Sequence, residues 1–243
     1  MKQMPRRSTW QNLSSIALSS LAALAVTSCQ LASPKKAEEA KNKEETEKLY
    51  PQPTPVELSP EAKVVNDAAR LLAGLSAFPD QDTYKQWRSE SFWQTHKIGM
   101  EKMWNEFGSK RGAKVRQWAA SEVADVQGTP VVFQPFGGPD FVFSHLLFPD
   151  AETFVVCGTA PCIDLPKFEA VPAEVMADTV FALRETTASY LKTASDTKAG
   201  IPVPSGKALP GALPTLLAMA ARTGHIVESV ELMPTDESAV APG

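Results

Sequence analysis

Val131-Val132-Phe133-Gln134-Pro135-Phe136, then Gly137-Gly138-Pro139-Asp140, and further on Thr153-Phe154-Val155-Val156-Cys157, form the stretch whose reading decides the fold. Both outer runs are rich in β-branched and aromatic residues, and Gly-Gly-Pro reads as a turn. Asp140 to Phe148 predicts a helix between the strands, with Asp140 near its start. Strand, helix and strand in that order point to an α/β body.

Working outward, helices flank this stretch. Ser59 followed by Pro60 predicts an N-cap with proline at the first helical position, and Val64, Ala68, Leu71, Leu72 and Leu75 fall on one face. Residues 80–124 are helical in composition and hold Trp87, Trp93, Trp104 and Trp118, with Gly108 and Gly112 expected to divide them into separate helices. A long helix is predicted over 172–193, carrying Val175, Met176, Val180, Phe181, Leu183 and Leu191. A second is predicted over Leu213–Arg222, closed by Gly224. His225 to Leu232 alternates as a strand does. The expectation is a single α/β domain over 59–233, with a few short strands flanked by helices and a disordered tail over 234–243.

The chain has 243 residues, 43% hydrophobic and 21% charged, with 3 cysteines and 20 prolines. That balance excludes collagen, disulfide mini-proteins and polytopic membrane proteins. Its 24 cationic residues against 28 acidic ones leave no basic surplus to neutralise a phosphate backbone, so nucleic acid is not an expected partner.

Lys2, Arg6 and Arg7 precede an apolar or small run from Leu13 to Val26, the two halves of an export signal. A helix over that run would span about 21 Å, short of the roughly 30 Å hydrocarbon core. Val26-Thr27-Ser28-Cys29 then resembles the lipobox of bacterial lipoproteins. The resemblance implies that residues 1–28 are a signal peptide cut before Cys29, that Cys29 takes a diacylglyceryl thioether, and that the new amino terminus is acylated. Sulfur is the nucleophile that such lipid transfer needs. The partner so implied is the lipid bilayer, and Gln30, where an inner-membrane retention signal has Asp, favours the outer membrane over the inner. A plain signal peptide with an incidental cysteine is the other reading. The export route stays open, since Ser8-Thr9-Trp10 after Arg6-Arg7 departs from the twin-arginine pattern. Without Lys2, Arg6 and Arg7 the remaining 215 residues hold 21 cations against 28 acids, so lipid rather than charge would hold them to an anionic leaflet.

Residues 29–58 then read as a lipidated cysteine and flexible tether. A Lys/Glu run from Lys35 to Lys48 lacks apolar residues to bury, and Pro51, Pro53 and Pro55 favour extended backbone. A reach of about 30 Å follows for a flexible chain of this length. A short solvated helix over 36–48 is the alternative, and either form is a spacer.

Gln134-Pro-Phe-Gly-Gly-Pro-Asp140, Phe148-Pro149-Asp150-Ala151 and Thr153-Phe-Val-Val-Cys-Gly158 together resemble a family of uncharacterised secreted bacterial proteins. Its members carry a Pro-Phe-(Ser or Gly)-Gly-Pro-Asp block, then Phe-Pro-x-Ala, then an apolar strand ending in Gly. Leu213 to His225 is similar to a second block of that family. Those proteins continue past the Val-Glu-Leu strand, so the resemblance implies that this chain would be a short form. The resemblance brings no activity with it.

Candidate site residues gather at the glycine turn. Gly137 and Gly138 permit close backbone approach, and Asp140 suits the positive end of a helix dipole. One reading is a pocket rim that holds an anion on backbone N–H groups; the other is a tight turn with Asp140 as its cap. Ser144 and His145 follow, but residues this close on one helix point in different directions, and no Gly-x-Ser-x-Gly elbow is present. His96 and His225 lack Glu or Cys partners at zinc spacing, and Gly200 to Ala208 fails as a phosphate loop, so neither metal nor cofactor is expected. Cys157 and Cys162 enclose a four-residue turn. They read either as a local disulfide, worth about 2 kcal/mol, or as two buried free thiols. The functional expectation is an envelope lipoprotein that binds an envelope protein or small ligand or plays a structural part, with a surface hydrolase using Asp140 and His145 as the alternative.

Overall fold

The computed structural model describes residues 34–54, 57–135, 140–156, 166–193 and 206–231. The helices are α1 Pro34–Leu49, α2 Pro60–Leu72, α3 Lys85–Ser89, α4 Ser91–Phe107, α5 Ala113–Glu122, α6 Phe141–Leu147, α7 Ala173–Thr193 and α8 Leu213–Arg222. Strands β1 Val131–Gln134 and β2 Thr153–Val156 pair in parallel, Val131 opposite Thr153 and Gln134 opposite Val156, with α6 in the crossover. The body is therefore mostly helical, with two short strands at its side. The expected α/β character is confined to this one β–α–β unit.

Local chemistry sets several boundaries where the sequence marks them. The Ser59 side chain accepts from the Ala62 N–H at 3.1 Å. At the end of α8, Gly224 has φ +85°, its N–H donates to Ala221 O at 3.3 Å, and the His225 N–H donates to Ala220 O at 2.9 Å. That pair of bonds is a Schellman closure, which needs the left-handed residue glycine supplies.

The core forms two neighbouring clusters that share α8. Leu217, Ala218 and Ala221 face Leu71, Leu72, Trp87, Trp93, Phe168 and Met176. Met219 faces the other way, toward Tyr50, Trp104, Phe107, Phe141 and Tyr190. Small residues on α8 let α2 lie close against it. Buried Asp67 ties α2 to α3 by accepting from Arg88 Nη2 at 2.6 Å and from the Tyr84 N–H at 3.1 Å. An uncompensated carboxylate there would be costly.

Three expectations are corrected. The spacer takes its helical alternative, but it does not stand free: α1, supported by Lys41–Glu45 and Glu44–Lys48 pairs, lies on α4, with Thr46 and Tyr50 each 2% exposed. Packing against the body thus begins within α1, from Asn42 to Tyr50, rather than at 59. Gly108 and Gly112 do bound the division between α4 and α5, as a π-type turn with right-handed helical dihedrals over Gly108–Gly112. Val64 is exposed, since the face of α2 turned inward carries Ala62, Asn66 and Ala69. Residues 225–231 form no strand. The Val227 N–H meets Asn66 Oδ1 at 3.4 Å, and Val227 and Val230 pack on the first core cluster, so side chains of α2 stand where a neighbouring strand would be needed.

Candidate functional site

Asp140 sits at the start of α6 in a helical conformation, and its side chain makes no capping bond. Oδ1 instead accepts from the hydroxyl of Tyr190, a buried residue near the end of α7. The expected cap is therefore replaced by a clamp between two helices. Ser144, one turn on, is 1% exposed, and its hydroxyl donates to the Asp140 carbonyl at 3.3 Å.

His145 leaves the same helix in another direction. Its ring stacks on Tyr50 at 5.9 Å and 28°, and meets the edge of His225 at 5.2 Å and 81°. Phe141 and Phe154 stand 5.0 and 6.4 Å from His225, whose Nδ1 lies 2.9 Å from Thr223 Oγ1. The Schellman closure of α8 aims His225 into this group. His145 Nδ1 and the Tyr50 hydroxyl are buried and have no hydrogen-bond partner among the described residues.

Burial dominates the electrostatics. It draws His145 down to about 4, with His225 and then Arg116 adding repulsion. His225 is lowered by the same loss of solvent, opposed by the Ala220 carbonyl. Tyr50 is raised, again by burial. The Arg116 guanidinium is lowered by burial, against the pull of Tyr50 and Asp150. At neutral pH the cluster therefore holds two uncharged imidazoles and a neutral phenol beside one cation.

Of the residues the sequence singles out, Asp140 and His145 are neighbours along α6 yet serve different partners, and Ser144 bonds back to its own helix. No Ser–His–Asp relay joins them. Gly137, Gly138, Cys29, Cys157 and Cys162 lie outside the described residues. His96 is fully buried in α4, with Nε2 2.8 Å from Leu72 O, a core histidine. Among the described residues no group of three or more His, Cys, Asp or Glu could hold a metal ion, and no helix is long and apolar enough to cross a membrane.

Sequence reasoning missed Tyr50, Arg116 and Tyr190. A lone aromatic closing a long Lys/Glu run was the one available signal for Tyr50. Tyr190 and Arg116 gave none, because their partners lie far away in the chain. No family model, curated protein or solved structure matches this chain.

Proposed function

We propose that this chain is a lipid-anchored protein of the bacterial cell envelope, at the outer membrane in preference to the inner, whose helical body binds a ligand or partner. Val26-Thr27-Ser28-Cys29 supports the anchor. The observation that carries binding over hydrolysis is the Tyr190–Asp140 bond. A catalytic acid or base must reach the proton it moves, whereas here the carboxylate is engaged in joining two helices. Ser144, the only hydroxyl beside it on α6, is buried and bonded to a backbone carbonyl.

The docked α1 changes how an anchor would work. Five residue steps separate Cys29 from Pro34, at most about 18 Å of chain. A lipid on Cys29 would then hold the body close against the bilayer instead of at the end of a long leash.

Palmitate labelling of cells that express the wild type and Cys29→Ser tests the anchor. Label and membrane association are expected in the wild type and lost in the variant; equal labelling of the two overturns the proposal.

A further inference from the structure

A cavity of about 340 Å³ opens between α1, the C-terminal end of α2 and α4. Six charged side chains line it: Arg70, Arg222, Lys43 and Lys97 against Glu47 and Glu101. The cavity is thus positive inside a chain whose net charge is −4. Lys43 lies 3.9 Å from Glu47 and 3.8 Å from Glu101, so the acids already share a cation. Lys97 meets Ser76 Oγ at 3.3 Å, and none of the described acids forms an ion pair with it.

Arg222 is the group left unfinished. It ends α8 and is 5% exposed. Its Nε donates to Ala73 O at 2.8 Å, which satisfies a carbonyl at the close of α2. Nη2 is buried with no hydrogen-bond partner among the described residues, and no ion pair joins Arg222 to Glu101. Arg70 is set differently. Nε donates to Ser76 O at 2.8 Å, Nη1 to Gln52 Oε1 at 3.3 Å, and the guanidinium stacks 4.0 Å over Phe78. Burial lowers both arginines only to about 10, so both are cations at neutral pH.

Arg70 repels the Arg222 charge while Glu101 attracts it, and Arg222 carries an N–H that none of the described residues receives. A buried charged donor without an acceptor is costly, and an oxyanion relieves both problems together. Leu75, Tyr50 and Trp104 give the remaining wall apolar area for a short carbon frame.

We propose that this cavity binds a small molecule bearing an oxyanion, a carboxylate or a phosphate, on Arg222 and Arg70. Thr46, Glu47 and Tyr50 of the α1 segment form part of the wall, so the ligand also bridges that segment to the body. The proposal deepens the binding role given above and rests on it. Lipid loss in Cys29→Ser leaves the cavity residues unchanged, so failure of the anchor and failure of the anion site are read separately.

The test is calorimetric titration of the full chain in detergent micelles with sodium succinate and, separately, inorganic phosphate, at constant ionic strength. Saturable binding of at least one is expected, with affinity reduced about tenfold or more in both Arg222→Met and Arg70→Gln. Lys110→Gln, which removes a surface cation paired with Glu106, should leave affinity unchanged. Binding of succinate alone assigns a carboxylate ligand, and binding of phosphate alone a phosphate. If Arg222→Met does not fold, Arg70→Gln decides. Failure of both anions to bind, or unchanged affinity in Arg70→Gln, overturns the proposal.

Discussion

Thr46 of α1 lies against Gly108 so closely that the contact leaves no room for a side chain: a Cβ on Gly108 would come 2.6 Å from Thr46 Cγ2 and closer still to Oγ1. The Thr46 hydroxyl is also 2.8 Å from Asn42 O of its own helix and 3.1 Å from Asn105 O of α4. Without a long apolar stripe, α1 is held by this contact, by Leu49 and Tyr50 on the second core cluster and by the exposed Lys43–Glu101 pair.

Gly108→Ala should therefore release α1, although alanine is the better helix former by about 1 kcal/mol. The expected cost is about 1–3 kcal/mol, as for other overpacked contacts. Faster proteolytic cleavage within 34–50 should accompany it, and Thr46→Ala in the same chain should restore part of the loss. A Gly108→Ala protein as stable as the wild type, with α1 equally protected, would show that the contact does not hold the helix.

Tyr190→Phe should lower stability by about 1–3 kcal/mol, because the Asp140 carboxylate loses its donor. Asp140→Asn keeps an acceptor oxygen and should cost less than Tyr190→Phe. Urea unfolding measures both. The clamp is refuted if Tyr190→Phe unfolds at the wild-type midpoint.

Acid should destabilise the fold through two histidines. His96 and His145 are both drawn from 6.5 to about 4, chiefly by burial, with Arg222 and Arg184 facing His96, and His225 and Arg116 facing His145. Between those values the unfolded chain binds more protons than the native one. Stability is therefore full above pH 6.5 and falls as pH drops toward 4, by up to about 1.4 kcal/mol per pH unit for each group. His145 should contribute the smaller share because its ring is partly open to solvent. His145→Phe and His96→Gln should each flatten the slope of unfolding free energy against pH in this window, and an unchanged slope in both variants would rule the pair out as its cause.

Helix ends were readable wherever their chemistry is local. Ser59 and Pro60 start α2, and Gly224 closes α8, because each cap is made by residues within a few positions of one another. The two β runs around the glycine turn were readable for the same reason: their residue types favour extended backbone, and a short crossover leaves them within reach of each other.

Where a pattern needs a distant partner, the linear order of residues left the outcome open. His225 to Glu231 alternates like a strand yet has Asn66 and the core beside it instead of a ladder. The Lys/Glu run reads as a solvated spacer, but Thr46 meets Gly108 and Tyr50 enters the core, so it belongs to the body. Asp140 reads as a cap and is taken by Tyr190 from α7. Arg222 reads only as the end of a helix, and its place beside the cavity follows from α2 and α8 meeting around it. Capping and backbone preference depend on neighbours in sequence, which the amino-acid order states outright. Burial, pairing and charge compensation depend on which remote surfaces meet, and only the packed structure decides that.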